Sequence, residues 1–268
     1  MRGRATLLVL IACLITAGGV HAMGNHGPHL QCDYDSDYDV RVQPNGVAFT
    51  RDGEQPFHVF MHDGQLRVDG RAVTVSAQDA ARLREYEQQV RELVPAMAAI
   101  ARGGVDVAYA ALATVVATMV DNGDHRTHLL QSLRDRRVEA LQQVNDTLGR
   151  GLWKAGDDSE LFNQDLEKTV SDLVGGITGD AVSDALSGDP NRLAALEARA
   201  NALDATLDKA IETPAEELGQ RAQALCPNLN ALNQLQQQFQ FRLADGGRLR
   251  LLSSDMDSSN QARQYAQR

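Results

Sequence analysis

The stretch QCDYDSDYDV, Gln31 to Val40, sets Cys32 ahead of four aspartates at alternate positions, Asp33, Asp35, Asp37 and Asp39. Such a set could serve as a calcium loop, as a reactive thiol among acids, or simply as the disulfide-tethered start of a folded domain. A helix-loop-helix calcium site takes acids at its first, third and fifth positions, glycine at the sixth and a bidentate glutamate at the twelfth. Counted from Asp33 the acids fit, but Tyr38 stands where the sharp turn needs glycine, and Pro44 where the closing ligand belongs. In an extended segment the four carboxylates project from one side and repel one another, which reads as a solvated strand edge. Cation binding by Asp33–Asp39 is therefore kept as the alternative.

Histidines are the other candidate ligands. His26 and His29 lie in a Gly- and Pro-containing leader, where incidental copper or zinc affinity would carry no function. His58 and His62 share a face of an expected strand, opposite Phe57, Val59 and Met61. Four strand residues separate them by about 13 Å, too far to hold one ion together. A serine elbow, a zinc-protease histidine pair, a Walker loop and a dinucleotide fingerprint are all missing from the sequence. The pairs Asp157-Asp158 and Glu216-Glu217 stand at helix starts, where acids favour the positive end of the helix dipole. The reading is thus of a non-enzyme, with no catalytic, cofactor-binding or metal residue; a hydrolase with carboxylates assembled only in space is the enzymatic alternative.

What positions these residues begins with the compartment. Arg2 and Arg4 precede an apolar run from Ala5 to Val20, and Val20-His21-Ala22 offers small residues at a cleavage position. The run is shorter than the ~20 residues that span a bilayer. Residues 1–22 read as a signal peptide, and Cys13 goes with it because the run continues past it as Leu14-Ile15-Thr16-Ala17, where a lipoprotein would turn polar. Cys32 and Cys226 remain, an even pair in an oxidising compartment, and a disulfide between them is the default. Loss of Arg2 and Arg4 takes the formal charge from −10 to about −12. Such a surface argues against nucleic acid or anionic lipid as the main partner, since both need clustered Lys and Arg.

Leader residues 23–37 then give way to short strands. Val40 and Val42 alternate before Asn45-Gly46, Val47 and Phe49 follow, and Phe57, Val59 and Met61 precede Asp63-Gly64. Leu66 and Val68 lead into Asp69-Gly70, then Val73 and Val75. Asn-Gly and Asp-Gly are tight-hairpin signals, so residues 38–75 predict an antiparallel β-meander. Residues 76–236 predict a helical domain opening on Ser76, a cap with Asp79 three residues on. Its first helix carries Leu83, Tyr86, Val90, Leu93 and Met97 past a kink at Pro95. Val105 to Val120, after Gly103-Gly104, is apolar on most sides and reads as the central helix of a bundle rather than a membrane span. Asn122-Gly123-Asp124 ends it; a further helix carries Leu130, Leu133, Leu141 and Val144, and a loop covers Gly149 to Asp158. The glycines of GGITGD, Gly175 to Asp180, are expected to break the next helix. Asp189-Pro190 and Thr213-Pro214 start two apolar seams, read as a helical hairpin whose seams pack into the protein's own core. FQFRLADGGRLRLL, Phe239 to Leu252, alternates around Asp245-Gly246-Gly247 and predicts a β-hairpin over 237–252, with a polar disordered tail over 253–268. The fold class is α+β, mainly α.

The segments DGQLRVDGRAVTVSAQ, YEQQVRELVP and IARGGVDVAYAAL, with the late Cys226, resemble the YggN-like family of proteobacterial periplasmic proteins of unknown function. The resemblance implies a Gram-negative periplasmic location and carries over no site residues. The terminal hairpin and tail look like additions to the family's usual ending. The resulting expectation is a structural or protein-interaction module of the cell envelope, working through the helical hairpin with a protein partner, without stable membrane insertion, and in an oligomeric state left open. The alternative is a metal-binding protein using Asp33–Asp39 or the leader histidines.

Overall fold

The computed structural model describes residues 32, 34–53, 55–155, 158–186 and 188–254. The expected signal peptide, His26, His29, Asp33 and the tail from 255 lie outside the described residues.

Five strands follow one another, with tight turns except for the longer 51–57 connection between the second and third: β2 (Asp39–Gln43), β3 (Gly46–Thr50), β4 (His58–His62), β5 (Gln65–Val68) and β6 (Arg71–Val73). They form an antiparallel sheet in the order β6-β5-β4-β3-β2, with β7 (Leu152–Trp153) added beside β2. The turn residues do what their types allow: Asp63 and Gly64 take φ of 46° and 77°, and Asp69 and Gly70 take 48° and 79°. Consecutive positive φ values reverse the chain with the twist the strands need. Gly46 is more constrained still. Its φ is 147°, and a Cβ there would lie 2.4 Å from Phe60 Cζ and 2.5 Å from the Met61 carbonyl oxygen. A backbone atom cannot swing aside, so Gly46→Ala is expected to push β3 off β4 and cost about 3 kcal/mol, measured by urea unfolding.

Alternation then divides the sheet. Val40, Val47, Phe49, Val59, Met61 and Leu66 are buried on one face. That face is covered by the first half of α1 (Ala77–Met119), by α5 (Cys226–Gln237) and by the segment that follows α5. Aromatic rings connect the three parts: Phe49 to Tyr86 at 6.2 Å, Tyr86 to Phe239 at 6.0 Å and Phe239 to Phe241 at 5.1 Å. A second core lies at the far end of α1. There Val105, Tyr109, Val116 and Val120 pack with Leu133 and Ala140 of α2 (Gly123–Asp146) and Leu173 of α3 (Asp158–Leu186). α4 (Pro190–Gln223) runs along α1. By length and composition α1 could cross a membrane, and 17% of its apolar stretch is buried; Val105, Tyr109, Val116 and, at its cap, Val120 are the residues it turns into this bundle.

Caps fall where their residue types place them. Ser76 Oγ accepts from Asp79 N at 3.1 Å, Asn122 Oδ1 accepts from Asp124 N and His125 N at 3.0 Å each, and Asp189 Oδ1 accepts from Asn191 N at 2.9 Å.

Several expected breaks are absent. α1 continues through Pro95 and Gly103-Gly104, α3 through its glycines, and α4 through Pro214, so the turn expected at Thr213-Pro214 is absent; the second seam starts on the 34-residue α4 and its Leu229 and Leu232 fall on α5. Pro95 and Pro214 lie on exposed sides of their helices, where the carbonyl freed by the missing N–H does not enter the core. Gly103 lets α4 come close, for a Cβ there would meet Leu218 Cδ1 at 2.8 Å.

The expected β-hairpin over 237–252 is also corrected. A turn forms, with Leu243 N donating to Gly247 O at 3.0 Å, but no ladder joins its arms. Phe239, Phe241, Leu249 and Leu251 alternate because they are buried against the first core, and side chains stand in for the missing ladder. Gln236, itself buried, accepts from Leu251 N and Leu252 N and donates to the Leu252 carbonyl. Beyond it, β8 (Ser253–Ser254) pairs antiparallel with β1 (Tyr34–Asp35), inside what the sequence read as leader and tail. Cys32 and Cys226 are disulfide-bonded with their Cα atoms 5.3 Å apart.

Burial sets an alkaline limit on this fold. The Tyr38 phenol donates to Pro56 O at 3.1 Å and lies under the Arg51 guanidinium, 4.6 Å from its ring. Burial pushes its pKa up to about 12 despite that cation, and burial alone pushes Tyr86 up. A folded-state pKa above the unfolded value means stability that is whole below about pH 10 and drains away as pH rises toward the folded value. Unfolding free energy is expected to fall by roughly 1.4 kcal/mol per pH unit for each such tyrosine between pH 10 and 12. Urea titrations of the wild type and of Tyr86→Phe across that range check it; the variant's decline should be shallower.

Candidate functional site

The acidic stretch does not stay together. β1 and β2 are separated by a bend in which Ser36 Oγ donates to Leu251 O at 2.7 Å and Tyr38 is driven into the core. The chain therefore turns where an extended strand edge was expected. Asp35 accepts from Ser36 N at 2.7 Å, Asp37 pairs with Arg51 at 3.8 Å, and Asp39 accepts from Ala155 N at 2.9 Å. The described members thus have separate partners. His58 and His62 do share the outer face of β4, and His62 Nδ1 is 3.7 Å from Glu87 Oε1. Among the described residues no three His, Cys, Asp or Glu side chains converge on a point that could hold a metal ion.

Two buried carboxylates escaped the sequence reading. Asp79 accepts from Arg82 Nη1 at 2.9 Å and from the Gln240 backbone N–H at 3.1 Å. Glu87 accepts from Arg91 at 2.8 Å and from Asp63 N at 2.9 Å. Each is matched by an arginine and a backbone N–H from another segment, so these acids join α1 to the sheet turn and to the C-terminal arm. Their position on an otherwise amphipathic helix gave no signal of burial.

Two surfaces are left over after this accounting. The first is the outer face of the sheet, a depression of about 260 Å³ lined by Asp39, Arg41, Thr50, His58, Phe60 and Lys154 among others. Strand pairing sets Arg41, Ala48, Phe60 and Arg67 in one row across four strands, with Leu152 beside Arg41. The alternation of β2 to β4 made this face legible as solvent-facing. Its far wall was not legible, because β7 joins the sheet from a distant part of the chain. The second surface is on α3, where Val170, Val174, Val182 and Leu186 stand exposed at multiples of four residues, Leu186 at 81%. Val170 and Val174 are neighbours on the helix surface, as are Val182 and Leu186, but polar Thr178 stands between the two pairs and the row winds about 160° around the helix axis from Val170 to Leu186.

A family model described as a protein of unknown function, DUF2884, matches residues 32–252. The chain belongs to the DUF2884 family. Its match begins on the clasped Cys32 and runs through the whole sheet, the bundle and the C-terminal arm up to Leu252. The 239–252 segment therefore lies within the matched DUF2884 region. None of the curated proteins and none of the solved structures matches the chain.

Proposed function

We propose that this DUF2884 protein is a non-enzymatic interaction module of the Gram-negative cell envelope, exported to the periplasm by cleavage of residues 1–22. The Cys32–Cys226 disulfide supports an oxidising, extracytoplasmic setting. The resemblance to YggN-like proteins and the Arg2, Arg4 and Ala5 to Val20 pattern support the narrower location.

The observation that carries the interaction is the exposure of four aliphatic side chains on α3, the pair Val170 and Val174 and the pair Val182 and Leu186. The hairpin first expected to bind a partner does not form, since α4 is continuous and packs along α1. The α3 surface takes over that role. Its occupant is the apolar stripe of an amphipathic helix from another envelope protein, because anchors four residues apart on one helix mate with the same spacing on another. Exposed aliphatic side chains in water make the surface adhesive without making it necessary for folding.

Site-specific photocrosslinking at position 174 in periplasm tests this, read beside a Val174→Asp, Leu186→Asp variant with unchanged circular dichroism. A discrete crosslinked protein that the double variant loses at least tenfold is the expected result. Recovery of the same proteins by both forms, or of none by the wild type, would overturn the reading.

A further inference from the structure

We propose that the outer face of the six-stranded sheet binds an acidic peptide segment of a partner protein, seating a side-chain carboxylate on Arg41 and the apolar side chain two residues away on Phe60. The α3 surface has no part in the argument, so the two proposals stand or fall separately.

An antiparallel sheet packed on one face normally turns a plain polar surface to water. This one does not. Its central row reads Leu152, Arg41, Ala48, Phe60 and Arg67, so a large aromatic and an aliphatic side chain lie among guanidinium groups. Small Ala48 stands between Arg41 and Phe60 and leaves the floor of the depression low. Phe60 is held from beneath by Gly46, whose missing side chain is what makes room for the ring.

The charges around this floor are unequal in commitment. Asp39 is the one acid lining the depression, and its Oδ1 already accepts from Ala155 N at 2.9 Å. Arg67 donates to Gly70 O at 3.3 Å on the rim, and Lys154 also has a partner within the chain. Arg41 is exposed and makes no side-chain hydrogen bond or ion pair with any described residue. In a chain with a formal charge of −10, the Arg41 guanidinium and the Lys154 ammonium face this depression with only the already committed Asp39 as an acid beside them. The planar donors of Arg41 match a carboxylate in two parallel hydrogen bonds.

Size and shape decide the occupant. About 260 Å³ holds one or two side chains rather than a whole cofactor, and the depression is open along the strands. An extended peptide lying across β2 to β4 would present side chains alternately down and up, placing an acidic and an apolar residue two apart on the same floor. Thr50 and Gln43 at the sides supply hydroxyl and amide groups for the peptide backbone.

The full mature chain, isotopically labelled, is titrated with the capped peptide acetyl-Leu-Ala-Glu-Ala-Leu-amide and followed by backbone amide resonances. Saturable shifts confined to β2, β3, β4 and β7, with affinity at least tenfold weaker for Arg41→Gln at unchanged melting temperature, are expected. The peptide with Gln replacing Glu should bind at least tenfold less tightly. Three results would each overturn the proposal: no saturable shift at millimolar peptide, equal binding to the Gln peptide or to Arg41→Gln, or equal binding of free glutarate, which would make this a small-anion site. Shifts on the sheet that survive Val174→Asp, Leu186→Asp separate this surface from the one on α3.

Discussion

A Cys32→Ser, Cys226→Ser double variant is expected to lose on the order of 5 kcal/mol of stability, the largest effect of any small change in this protein. The bond closes a loop with a sequence separation of 194. Without it the unfolded ensemble regains the entropy of two chain ends free to diffuse apart, which for so long a loop approaches 5 kcal/mol in the loop-closure treatment. The native side loses little else, because β1 and β8 still pair and Ser36 still donates to Leu251 O. Urea unfolding should show a lower midpoint and a somewhat steeper slope, because the unclosed unfolded chain exposes more surface. A loss below about 1 kcal/mol would mean that the unfolded chain keeps its ends together by other means.

Asp79→Ala is expected to cost about 4 kcal/mol, and Asp79→Asn about half of that. The carboxylate is 1% exposed and holds two donors of different origin, Arg82 on its own helix and the backbone N–H of Gln240 on the C-terminal arm. Alanine leaves both donors without that partner, and the largely covered Arg82 guanidinium is the more expensive of the two. Asparagine keeps an acceptor for one of them. Because Gln240 begins the arm that Gln236 holds further on, hydrogen exchange of residues 239–252 should accelerate in the alanine variant along with the loss of global stability. Equal and small effects of both substitutions would show that the arm is held by Phe239 and Phe241 alone.

The meander could be read from the chain because its turns announce themselves. Asn45-Gly46, Asp63-Gly64 and Asp69-Gly70 each demand a backbone geometry that few other dipeptides supply, and alternation between them names the buried face. Helix ends were legible where a cap side chain is present, as at Ser76, Asn122 and Asp189. Breaks inferred from Pro95, Gly103, Gly175 or Pro214 failed because local penalties of a few kcal/mol are outweighed when a long helix can lie along another. The alternation of Phe239 to Leu252 was read as a ladder, although burial alone produces the same pattern. Most of the leftover outer face was visible as polar positions of β2 to β4, whereas its contact with Leu152 and Lys154 depends on a pairing more than a hundred residues distant.

Pairing of Tyr34 with Ser254 makes the described chain nearly a closed ring. Where a polypeptide begins is then a matter of cutting, since joining Ser254 to Cys32, two residues before Tyr34, needs only a short linker while the contacts of every element persist. A circularly permuted chain, opened in the connection between β7 and α3, should keep the sheet, the bundle and the clasp. Its new ends would emerge beside Lys154, at the rim of the outer face, so a reporter domain fused there would sit next to whatever occupies that surface.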